Sequence, residues 1–231
     1  MGYAKMADLL DLLKKETPSD IKLFKVERKL EDYSNACKKV IFEQRALRKN
    51  HDKQLFLFHD SLNSLKKRGY ERHARPNEVF GLLCAYLEGD LSVKNVAEDV
   101  LSSYGEWSSF AMRYQNNLLH CYIDPDLEYD KKSEQYNLKS CSSEMFFSIP
   151  PLEEKSYLTI KELHALNPQF VELIWSRPFH DLPLEIRENG NLFVGRDANV
   201  WPAGRGNFNV GYDVSSCNCS DRASRGVQKN V

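Results

Sequence analysis

The spacing of apolar positions predicts helices through the first half of the chain. Tyr3, Met6, Leu10 and Leu13 recur at 3-4-3 intervals on a short first helix, and "TPSD" breaks it, with Ser19 placed to cap the next. Leu23, Val26, Leu30, Tyr33, Cys37, Val40 and Leu47 then hold heptad a and d places, with Gln44 the polar exception. After a polar stretch, "RKNHDK", the apolar set resumes with its stripe displaced as Leu55, Phe58, Leu62 and Leu65. The pattern predicts an antiparallel helical hairpin over 20–68, with an intermolecular coiled coil as the rival. Gly69 marks a helix end, and Pro76 and Asn77 start another that runs to Gly89. Ser92 and Gly105 bracket a third, and Trp107, Phe110, Ala111, Tyr114 and Leu118 fall on one face of a fourth.

Beyond residue 122 the periodicity dissolves. Residues 123–156 read as an acidic, proline-containing connector and a domain boundary. "TIKE" at 159–162 has the spacing of a capping box, and Asn167 followed by Pro168 opens a further short helix. "LEIRENGNLFVG" places Asn189-Gly190 between two strand-like runs, the signature of a tight hairpin, and "NFNVGYDV" alternates as another strand. The expected fold is therefore α+β but mainly α. It comprises a helical domain over 1–122, the connector over 123–156, and a part over 157–231 made of short helices, a small antiparallel β element and a basic-aromatic tail.

Composition adds an ordinary globular balance, 42% hydrophobic and 28% charged, so a packed core is expected. The net charge of -1 conceals an uneven distribution: residues 1–75 carry +7, residues 76–160 carry -8, and the remainder is neutral. Such a split either steers a polyanion to one end or docks the basic part on the acidic part within one molecule, and the second is favoured. The six cysteines are thinly spread and fit a reducing compartment better than a disulfide framework. With no apolar leader and no lipidation signal, the expectation is a soluble, cytoplasmic protein that does not enter a membrane.

Several constellations could carry chemistry. "SVKNVAEDVLSSYGEWSSFAMRYQNN" has the order of a helix-turn-helix with Arg113, Gln115, Asn116 and Asn117 outward, but its turn is long and its surroundings acidic. Asp124, Asp126, Glu128 and Asp130 alternate, yet Tyr129 and Gln135 stand where a calcium loop needs Gly and Glu. Cys217 and Cys219 lack the second pair that a structural zinc site needs, unless Cys141, His164 or His180 completes it. An enzyme would use Cys217 or Cys219 as nucleophile, His180 as base and Asp181 or Asp197 as orienting group. The glycines of "GRGNFNVG" do not form a phosphate loop.

The tail remains as a binding surface. Arg205, Arg222, Arg225 and Lys229 would contact phosphates, Phe208 and Tyr212 would stack on unpaired bases, and Arg68, Arg72 and Arg75 around Tyr70 form a second basic patch. The sequence thus reads as a non-catalytic intracellular interaction module, with single-stranded RNA the favoured partner. No motif calls for a metal or cofactor. The competing readings are a hydrolase-like or metal-dependent enzyme built on His180, Asp181, Cys217 and Cys219, and a protein-protein or self-association module using the 20–68 seam.

Overall fold

A computed structural model of the chain describes residues 40–43, 58–102, 105–151, 157–195, 198–206, 208–211 and 225–229. Twelve strands and six α-helices lie within them. In chain order these are β1 (Val40–Phe42), α1 (Phe58–Lys67), β2 (Arg72–His73), α2 (Pro76–Leu87), α3 (Lys94–Ser102), β3 (Glu106–Gln115), β4 (Leu118–Ile123), β5 (Asp126–Asp130), β6 (Gln135–Ser140) and β7 (Ser143–Ser148). There follow β8 (Tyr157–Thr159), α4 (Ile160–Leu166), α5 (Pro168–Trp175), α6 (Leu184–Asn189), β9 (Asn191–Phe193), β10 (Trp201–Gly206), β11 (Asn209–Gly211) and β12 (Gly226–Lys229).

The centre is a curled seven-stranded sheet ordered β7-β4-β3-β10-β11-β9-β8, antiparallel except where β11 runs parallel to β9. A three-stranded sheet, β1-β12-β2, and the hairpin β5-β6 complete the β structure. On one face of the large sheet Phe110, Met112, Leu119, Cys121 and Phe147 pack with Phe80 and Leu83 of α2 and with Leu163, Phe170 and Trp175 of α4 and α5. The opposite face is covered unevenly. Ala111, Tyr122 and Val200 meet Leu127 and Leu138 of the β5-β6 hairpin, while Trp107 and Tyr136 enclose Phe58 of α1.

The mainly helical expectation is overturned, because helix and strand take nearly equal shares. The helix expected from Trp107, Phe110, Ala111, Tyr114 and Leu118 is instead the strand pair β3-β4, turned at Asn116 and Asn117, both with positive φ. β3 is buried on both faces over most of its length, so the alternation that would betray a strand is filled in by apolar and small residues. The expected connector forms β5, β6 and β7, and β7 belongs to the large sheet. Val40, assigned to the heptad seam, lies in β1, paired with Lys229 of β12. The rest of that seam before Phe58 falls outside the described residues. No hairpin forms at Asn189-Gly190: the Gly190 N–H closes α6 onto the Ile186 carbonyl, at a φ of -73°. Its glycine serves closeness rather than a turn, since a Cβ there would stand 2.8 Å from that carbonyl oxygen.

Local stop and start chemistry performs as its residues dictate. At the end of α1 the Tyr70 N–H reaches the Leu65 carbonyl and the Gly69 N–H that of Lys66, with Gly69 at φ 85°. Thr159 and Glu162 cap α4 reciprocally, Asn167 accepts from the Phe170 N–H at 3.0 Å, and Pro168 occupies the first position of α5.

The uneven charge is in part an internal docking. Arg72 grips Glu78 through two bonds of 2.8 and 2.5 Å, and Arg75 binds both oxygens of Asp124. Arg68 pairs with Glu43 at 3.0 and 3.1 Å. A deeper cluster ties Glu43 and Arg225 to the sheet. Glu106 of β3 lies directly across from Arg205 of β10, and the two side chains meet at 2.5 Å. Arg225, fully buried, donates to Glu106 at 2.8 to 3.2 Å, to Asp99 of α3 at 2.5 Å and to the Glu43 carbonyl at 2.6 Å. Burial alone would raise the Glu106 pKa, but the two guanidiniums outweigh it and hold the carboxyl below its ordinary range.

Between α1 and β2, Ser61 Oγ and His73 Nε2 stand 2.7 Å apart, both fully buried. Desolvation, reinforced by the charges of Arg68 and Arg72, lowers the His73 pKa to about 3. The ring is therefore neutral in the folded protein, whereas the unfolded chain protonates it near pH ~6.5.

Two outcomes follow for stability. His73 contributes stability that is present above pH ~6.5 and lost as pH falls toward about 3, by up to about 1.4 kcal/mol per pH unit. His73→Gln should flatten the pH dependence of the denaturant-unfolding free energy in that window, and an unchanged slope would place the acid sensitivity elsewhere. Glu106→Gln should cost about 3–5 kcal/mol in the same assay, because it leaves the buried Arg205 without a carboxylate and Arg225 with Asp99 alone. Replacing Glu106, Arg205 and Arg225 together by apolar residues should recover most of that loss.

Candidate functional site

Of the residues singled out for the tail, the three whose side chains are described, Arg205, Phe208 and Arg225, turn into the fold rather than onto a surface. Arg205 is 2% exposed and Arg225 fully buried, and their guanidiniums are held by Glu106 and Asp99 rather than turned outward. Arg205 Nη1 is enclosed with no hydrogen-bond partner. Phe208 packs partly buried against the main core, and its carbonyl accepts from Trp175 Nε1 at 3.0 Å. Lys229 lies in β12 opposite Val40. Tyr212, Arg222, Cys217 and Cys219 lie outside the described residues. The second basic patch is committed internally, as Arg68, Arg72 and Arg75 meet Glu43, Glu78 and Asp124.

His180 and Asp181 are exposed on a 3-10 turn, Phe179–Asp181. His164 of α4 stacks on Phe179 at 4.8 Å and meets the His180 ring edge-on at 5.3 Å. Burial and then the His180 charge lower the His164 pKa, while burial and then Asp181 raise that of Glu172. This is a small titratable cluster, but among the described residues no group of three or more His, Cys, Asp or Glu is placed to hold a metal ion. The alternating acids do not gather a cation either. Asp124 faces Arg75, Glu128 pairs with Lys139 at 3.2 Å, and Asp130 caps its own turn through the Lys132 N–H and the Ser133 hydroxyl.

Ser61 and His73 have the separation of a nucleophile and its base. Both are sealed from solvent, and no hydrogen-bond partner orients His73 Nδ1. Their arrangement suits a buried polar pair better than a reacting one. Burial likewise pushes the Cys121 thiol up and away from the reactive thiolate.

A different surface emerges at the open end of the large sheet. Cross-strand register sets Arg113 of β3, His120 of β4 and Phe146 of β7 in one row, with Ala111, Tyr122 and Glu144 in the next. Ala111 and Tyr122 of the second row are roofed by the β5-β6 hairpin while Glu144 is exposed; Arg113 and Phe146 stay partly exposed, and His120 keeps 18% of its side chain accessible. The His120 and Phe146 rings lie 5.6 Å apart, His120 Nδ1 stands 3.2 Å from Glu144, and Arg113 Nε is buried with no hydrogen-bond partner. Burial lifts the Tyr122 pKa to about 12, so that phenol stays neutral beside Arg113. Beyond the row, Gln115, Asn116 and Asn117 project from the β3-β4 turn, exposed. Arg113 and these three amides were visible in the sequence as an outward polar set, though on an expected helix. His120 and Phe146 were not, and the Asn-Asn dipeptide between two apolar runs was the signal that could have revealed the hairpin joining two of their strands.

Among the described residues no helix is long and apolar enough to cross a membrane. Compared with known protein families, curated proteins and solved structures, the chain matches none.

Proposed function

We propose that the protein is a non-catalytic binding module that receives single-stranded RNA on the open end of its large sheet. What carries the reading is the row of Arg113, His120 and Phe146 across three adjacent strands, in which a partly exposed cation adjoins two partly buried rings. Unstacked bases settle on such rings, and a guanidinium beside them can take the phosphate that follows. The exposed amides of Gln115, Asn116 and Asn117 stand where base edges and a 2′-hydroxyl would be met. This surface stands in place of Arg205 and Arg225 as the point of contact, because both are committed to buried carboxylates.

Fluorescence anisotropy of the full chain against a labelled oligouridine, repeated across a salt series, tests the proposal. The expected affinity falls log-linearly with salt. Arg113→Ala reduces the salt slope by about one, and His120→Ala weakens binding by about 1–3 kcal/mol without altering the fold. Absence of binding at low salt, or binding indifferent to both substitutions, would overturn it.

A further inference from the structure

The large sheet ends on one side in β7, a six-residue strand that pairs only with β4 among the described residues. Ladder parity fixes which of its backbone groups are uncommitted. The Asp124 N–H bonds the Ser109 carbonyl, so the even-numbered residues of β4 bond toward β3. The Ile149 N–H bonds the Asn117 carbonyl at 2.9 Å, so the odd-numbered residues of β4 bond toward β7 and take its odd-numbered residues as partners. Glu144, Phe146 and Ser148 therefore direct their N–H and C=O groups away from the sheet, along an edge two residues short of the Pro150-Pro151 pair.

The usual guards of an exposed edge are sparse here. β7 reads "SEMFFS": it carries no lysine and no proline, and Glu144 is its one charge. An edge of this kind is a template for an added strand.

We infer that the strand added is β7 of a second copy of this chain, antiparallel and centred on Phe146. That register alone pairs all three outward-bonding residues at once. Phe146 faces its own symmetry mate across the two-fold axis, and each Glu144 faces a Ser148 of the other copy. No like charges then meet. Shifting the antiparallel register by two residues either way leaves an outward-bonding residue of each copy without a counterpart. The contact is isologous, so it closes as a dimer instead of growing into a filament. This inference stands apart from the RNA reading, since it rests on backbone parity and on Glu144 and Ser148 rather than on Arg113 and His120.

Sedimentation equilibrium of the full chain over a wide concentration range, with two charge variants, provides the test. The wild type should show a mass rising from monomer to dimer. Ser148→Lys places a cation opposite Glu144 at two symmetric positions and should tighten the dimer about threefold to tenfold, while Ser148→Glu should weaken it by a similar factor. Amide exchange at Glu144, Phe146 and Ser148 should slow as concentration rises. A strictly monomeric wild type overturns the inference. So does a dimer indifferent to both Ser148 variants, which would lie on another surface, and so does a dimer whose three β7 amides exchange at the monomer rate.

Discussion

A carboxylate buried in the middle of a sheet must be neutralised where it stands, and Glu106 imposes that condition on this protein. Two arginines meet it from different directions. Arg205 lies across the β3-β10 ladder, while Arg225 arrives 119 residues later in the chain, immediately before β12. Because Arg225 also reaches Asp99 and the Glu43 carbonyl, one guanidinium joins the end of α3, the exit of β1 and the entry of β12 to the central sheet. The two arginines balance Glu106 and Asp99, so the cluster is neutral as well as buried, which is the condition for enclosing charges at tolerable cost. It also discriminates between registers: a one-residue slip of β10 would turn Arg205 to the opposite face and leave Glu106 half-paired.

How much of this was legible follows from the range of each interaction. Capping is local, so Gly69, Pro76, the Thr159–Glu162 pair and Asn167-Pro168 mark real helix boundaries and could be read from neighbouring residues. Strand content was hidden for a physical reason. β3 is buried on both faces, which erases the period of two, and Trp107, Phe110, Ala111 and Tyr114 then satisfy a helical spacing by coincidence. Arg205 and Arg225 were visible as cations, but their fate depends on Glu106, and a partner 99 or 119 residues away leaves no trace in local pattern. The row of Arg113, His120 and Phe146 was illegible for the same reason, because it exists only once the registers of β3, β4 and β7 are set.

The same burial gradient accounts for where a binding face can exist. Along β3 the side facing away from the main core is closed successively by Phe58 with Trp107 and by the β5-β6 hairpin over Ala111. At Arg113 the cover is partial, with Nε still buried, and by Gln115 the strand is exposed. The apolar rows are roofed and the mixed row is not, so the composition of the open end matches its wetness: a guanidinium, an imidazole and rings with polar neighbours. The acidic excess of the middle of the chain does not oppose this as strongly as its bare charge suggests. Glu78, Glu106 and Asp124 are all neutralised by arginines within the fold.

The two ends of the sheet are also unequal. β8 is a three-residue edge that passes directly into α4 through the Thr159 cap, so little of it can accept another strand. β7 is twice as long, and Phe146 belongs both to the open row on its face and to the backbone groups along its edge. Pairing two copies through that edge would bring the two rows together across the two-fold axis, running from Arg113 through His120 and Phe146 and back to a second Arg113. A single strand of nucleic acid lying across such a dimer would meet two sets of rings in sequence. The second engagement would then be governed by effective concentration rather than by a fresh encounter, so self-association and a weak, stacking-based affinity would reinforce each other without any additional contact.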